Sequence, residues 1–181
     1  MRLNRRNFLK QSAVGALAFK VGGAVVTASP AHAYAEDFPM QVLSAEERAA
    51  LEAFGDTILP GAAQEGLAHF IDSQLAAESA DSLLIIRYLD VPPPYAGFYK
   101  AALAALDAAA GGRFADLSSA DRLALARRMG AGEVAPWRGP PAAFVLFVLR
   151  MDAIDVVYGT EAGFDRLDLP YMAHIAPPAR W

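Results

Sequence analysis

Apolar residues that recur at helical spacing, between glycine and proline breaks and without alternating stretches, predict an all-α fold. We read a single bundle of about five or six helices, followed by an extended, irregular C-terminal arm. Ser-x-x-acid caps at Ser44 and Ser118 support the helices, and the lack of any period across 160–181, with Gly163, Pro170, Pro177 and Pro178, supports the arm.

Leu43-Ser44-Ala45-Glu46-Glu47-Arg48 opens the first body helix, because Ser44 can accept from the Glu47 amide while the Glu47 carboxylate reaches back. Leu51, Phe54 and Ile58 then share a face, and Pro60-Gly61 ends it. Leu67, Phe70, Ile71, Gln74 and Leu75 place a second helix. Asp81–Leu89 reads as a short helix, with continuation of the previous one as the alternative, and Pro92-Pro93-Pro94 then imposes extended backbone. Phe98, Ala102, Leu106 and Ala109 mark a helix from Tyr95 to Ala110, which Gly111-Gly112 stops. Another runs from Ser118 to Met129, and its start echoes Leu43–Leu51, which reads as a second solution to the same capping problem, with duplication of a helical hairpin as the alternative. After a Gly/Pro loop holding Trp137, the helix 142–158 contains the unbroken apolar run Phe144–Leu149 and reads as the central core helix. Arg150, Asp152 and Asp155 interrupt its second half at spacings unsuited to intrahelical pairs, so neutralisation by arginine and partners on other elements or another chain are expected.

Ahead of this body, residues 1–33 carry Arg2, Arg5, Arg6 and Lys10 without an acid, then a weakly apolar run broken by Lys20, and end in Ala31-His32-Ala33. Arg5-Arg6 followed by Phe8-Leu9-Lys10 is the pattern of a twin-arginine export signal, with cleavage expected after Ala33 and a periplasmic destination. The run is too short and weak for a permanent membrane span, which needs about 20 apolar residues. Two domains are therefore expected: the signal, 1–33, and a helical domain, 34–181. The signal holds five of the 16 Lys and Arg residues and none of the 20 Asp and Glu, so the remaining 148 residues carry 11 bases against 20 acids. A formal charge of −9 opposes binding to nucleic acid. With no cysteine, the chain lacks disulfides and thiolate ligands for iron–sulfur, zinc or covalently attached haem.

Catalytic motifs are absent. Gly130-Ala131-Gly132-Glu133-Val134-Ala135 has the letters of a dinucleotide fingerprint, but a helix precedes it and Pro136 follows. His69 reads as a packed core histidine, while His174, alone in the C-terminal arm, reads as an interface residue. No catalytic, cofactor or metal residue is assigned.

The signal, the segments Phe54-Gly55-Asp56-Thr57-Ile58-Leu59-Pro60 and Ala68-His69-Phe70-Ile71-Asp72, and the ending from Tyr158-Gly159 through Leu169-Pro170-Tyr171 to Trp181 resemble the gluconate 2-dehydrogenase subunit 3 family over nearly the whole chain. The resemblance implies a non-catalytic small subunit of a periplasmic sugar or polyol dehydrogenase. FAD would sit in a large subunit of the glucose-methanol-choline type, a cytochrome c is a further candidate partner, and this chain would take the folded flavoprotein through the twin-arginine translocase. Trp137, Tyr158, Pro170, Tyr171, His174, Arg180 and Trp181 are the candidate interface. The alternatives are a stand-alone periplasmic helical module binding a ligand or cofactor, and a hydrolase or isomerase using Asp152, Asp155 or His174.

Overall fold

The computed structural model describes residues 17–169. They open with an antiparallel hairpin, β1 (Leu17–Val21) and β2 (Ala24–Ala28), with Leu17 opposite Ala28 and Val21 opposite Ala24. The fold is thus mostly helical with a small two-stranded sheet, which corrects the all-α expectation. The cause is local. Gly22 and Gly23 take φ of 57° and 84°, the left-handed pair that a two-residue type I′ turn requires. On β1 the side chains alternate, Phe19 buried between exposed Ala18 and Lys20. Helix α1 (Pro30–Ala35) follows, with Pro30 in its first turn and the Ser29 hydroxyl accepting from the His32 amide at 3.1 Å.

Five longer helices form the body: α2 (Ala45–Ile58), α3 (Leu67–Ala76), α4 (Ala96–Ala110), α5 (Ser119–Ala131) and α6 (Ala142–Tyr158). The capping box at α2 is present, with the Ser44 amide donating to Glu47 Oε2 at 2.8 Å and the Glu47 amide to Ser44 Oγ at 3.2 Å. Gly111 and Gly132 terminate α4 and α5 at φ of 74° and 72°.

The most completely buried helix is α3, while α6 is also central, packed against α2, α3, α5 and the segments Ile85–Tyr88 and Glu161–Arg166. Every residue from Leu67 to Gln74 is buried, because α2, α6, α1 and β1 all pack around it. Gly55 permits the close approach of α2, since a Cβ there would lie 2.6 Å from Leu67 Cδ2. Helix α6 buries Val145, Val148, Leu149, Ala153 and Val156 on one face, but Phe147 on the other is 39% exposed. Six consecutive apolar residues cover more than one 3.6-residue turn, so they reach all sides of a helix whether or not all sides are covered. Phe144 is half-buried, edge-on to Phe98 at 5.7 Å.

Two further expectations are corrected. Within Asp81–Leu89 only a 3₁₀ turn forms, Ile85–Tyr88. The start of the C-terminal arm is helical, α7 (Glu161–Arg166), capped by the Thr160 hydroxyl accepting from the Gly163 amide at 3.1 Å. Among the described residues there are therefore seven α-helices, two of them only six residues long.

Phe54, Tyr99, Leu103, Phe114 and Met129 lie in the main core, with Phe54 and Phe114 rings 5.7 Å apart. A second, smaller cluster joins the hairpin to α1 through Phe19, Ala28 and Ala33, with Phe38 packed against it.

Candidate functional site

Buried polar side chains are where a helical protein of this size would keep its chemistry, and here they converge on backbone. Asp72, on α3, is 3% exposed. Its Oδ1 accepts from the Val42 and Leu43 amides and its Oδ2 from the Gln41 amide, each at 2.8 Å. One helical turn earlier, His69 Nε2 lies 3.1 Å from the Phe38 carbonyl, which fixes Nε2 as the protonated nitrogen of the neutral ring. Burial lowers the His69 pKa and the charge of Arg48 adds to the effect, so the imidazole stays neutral. Together the two side chains hold the extended entry to α2. Arg48 secures the same strip by pairing with Asp37 at 2.5 Å and Glu52 at 2.8 Å.

The same device recurs. Buried Gln74 Oε1 accepts from the Leu83 amide at 2.8 Å, and nearer the surface half-buried Asp107 accepts from the Phe114 amide at 2.8 Å and exposed Asp56 from the Ala63 amide at 2.9 Å. Asp152, wholly buried on α6, accepts from the Ile85 amide at 3.1 Å and from the Tyr99 hydroxyl at 2.6 Å. Burial raises its pKa to about 7, against the opposing effect of those two donors. Burial also pushes the Tyr99 phenol well above its ordinary value, aided by the neighbouring carboxylate.

The expected neutralisation of Asp152 by arginine is therefore wrong. Arg150 points to solvent and makes no ion pair among the described residues, and exposed Asp155 reaches Asp152 only through its charge, which adds a smaller push to the upward shift. A carboxylate at helix position 152 faces inward with Val148, Leu149 and Val156, whereas Arg150 falls on the other side. No buried acid here touches a second acid, a nucleophile or an imidazole. Among the described residues, no three His, Asp or Glu side chains cluster as metal ligands, and no helix is long and apolar enough to cross a membrane.

Of the candidate interface residues, Trp137 and Tyr158 are described, both half-buried against the core. The Trp137 indole donates to the Pro140 carbonyl at 2.6 Å just before α6, while Tyr158 ends that helix, about 24 Å further along at 1.5 Å per residue. The fold does not bring them together. Arg5, Arg6, Phe8, Leu9 and Lys10, and Pro170, Tyr171, His174, Arg180 and Trp181, lie outside the described residues. Asp72 is the residue that sequence reasoning missed. The available signal was an Asp three residues after a His on an apolar helix, where both must point into the packed face.

Fold and side-chain use define a class: a small helical scaffold whose buried polar groups hold its own loops. The family model for gluconate 2-dehydrogenase subunit 3 matches residues 45–174, from the first residue of α2 onward. The chain belongs to that family, which is one of small subunits of dehydrogenase complexes. No curated protein and no solved structure matches the chain.

Proposed function

We propose that this chain is a non-catalytic subunit that binds a folded, FAD-loaded dehydrogenase of the glucose-methanol-choline type, takes it through the twin-arginine translocase and stabilises it in the periplasm. The observation that carries the reading is the use of the interior. The buried Asp72, Gln74 and Asp152 all accept from backbone amides, as half-buried Asp107 and exposed Asp56 do nearer the surface, which leaves a body suited to presenting a rigid surface. Family membership supplies the complex, and Arg5-Arg6-Asn7-Phe8-Leu9-Lys10 supplies the route.

The outer face of α6, with Phe147 exposed, joins Trp137 and Tyr158 as candidate contact surface. A stable interface would bury about 1,200 Å² or more, so several elements must contribute. Co-expression with the flavoprotein tests the association. The two chains should co-elute in size exclusion, with the flavin and all turnover in the large subunit. Separate elution, or substrate oxidation by this chain alone, would overturn the proposal.

A further inference from the structure

The bond expected to be cut on export, Ala33–Tyr34, lies inside helix α1, and Ala33 has no exposed surface. Around it the hairpin and α1 are docked on the body by contacts of several kinds. Phe19, 4% exposed, packs edge-on against Phe38 at 5.7 Å, and Tyr34 stands edge-on to the buried His69 at 6.2 Å. The Phe38 amide donates to the Ala33 carbonyl itself at 2.9 Å. At Gly66, just before α3, the backbone takes φ of 82° and a Cβ would lie 2.0 Å from the Pro30 carbonyl oxygen, so only glycine admits α1 at this depth. This segment precedes residue 45, where the family match begins.

Proteolysis of a structured segment follows the fraction of time it is open. Hydrolysis of this bond needs water at the Ala33 carbonyl carbon and a proton on the Tyr34 nitrogen as it leaves. Both atoms sit in a helix, and the Ala33 side chain, which a peptidase must read, faces the body. We propose that residues 17–35 form a latch that withholds the Ala33–Tyr34 bond from processing while the body is folded, so that the export segment stays attached until α1 is pulled off α3. This rests on the export reading for the identity of the bond, while the docking stands apart from it.

The test incubates the purified full chain with a bacterial leader peptidase in detergent micelles, beside a synthetic peptide of residues 25–41. Intact mass reports loss of residues 1–33. The peptide should be cut after Ala33, and the folded chain more slowly by about tenfold or more. Phe19→Ala and Gly66→Ala should each restore most of that rate. Phe19 lies outside the main core, so its variant should keep the helical circular dichroism of the body even if Gly66→Ala does not. Equal rates for folded chain and peptide, or variants as resistant as wild type, would overturn the latch. A peptide left uncut would instead overturn the assignment of the export bond. Brief digestion with thermolysin reads the docking alone: cleavage within 17–35 should be slow in wild type and fast in Phe19→Ala, and equal rates would refute it.

Discussion

Replacing Asp152 with Asn should remove most of the fall in stability that this group causes between mildly acidic and neutral conditions. In the folded chain the carboxyl has a pKa of about 7, against the ordinary aspartate value of 3.8. Because the folded value is the higher one, the stabilisation is complete below the ordinary value and is lost as pH rises through about 7. The whole effect is about 4 kcal/mol, at about 1.4 kcal/mol per decade of proton affinity, of which about 3 kcal/mol falls between pH 5 and 8.5. Asn keeps the shape and an acceptor for the Ile85 amide, and its amide group can donate to the Tyr99 oxygen. His69 acts in the opposite sense. Its pKa is lowered, so its contribution is present above the ordinary histidine value and lost as pH falls.

Urea unfolding of the full chain at pH 5 and 8.5 gives the slope for each protein. The groups common to both cancel, so the difference between slopes should be about 3 kcal/mol. Tyr99→Phe should move the wild-type transition to higher pH, because the phenol donor favours the ionised carboxylate. Parallel profiles for wild type and Asp152→Asn would refute the reasoning.

Asp72→Ala strands the amides of Gln41, Val42 and Leu43 and should destabilise the chain by about 3–5 kcal/mol, measured by chemical denaturation. Gly55→Ala forces a Cβ against Leu67 Cδ2 and should cost about 1–3 kcal/mol, lowering the melting temperature without altering the partner's activity once bound. Phe147→Asp sits on an exposed face and should shift stability by less than about 0.5 kcal/mol, while reducing co-elution with the flavoprotein.

The body helices were legible because each begins or ends with chemistry that acts locally. Ser44 and Ser118 cap, Gly111 and Gly132 terminate, and the apolar spacing between them needs no tertiary knowledge. The hairpin was also written locally, in Val21-Gly22-Gly23-Ala24, but the same small residues fit an export leader, and that reading hid it. How completely each helix is covered was not legible. Helix α6 has the longer apolar run and packs against five elements, yet its outer face stays open at Phe147 while α3 is covered from Leu67 to Gln74, a property of topology. Polar residues misled for the same reason. Asp72 and Asp152 look like ionisable groups awaiting a partner, and their partners prove to be amides 29–31 and 67 residues away.

The most direct measurement is the location of the flavoprotein when both chains are co-expressed and Arg5 and Arg6 of this chain are both changed to Lys. The account predicts that active, FAD-containing large subunit then accumulates in the cytoplasm and disappears from the periplasm. Active flavoprotein still reaching the periplasm in normal amount would contradict it.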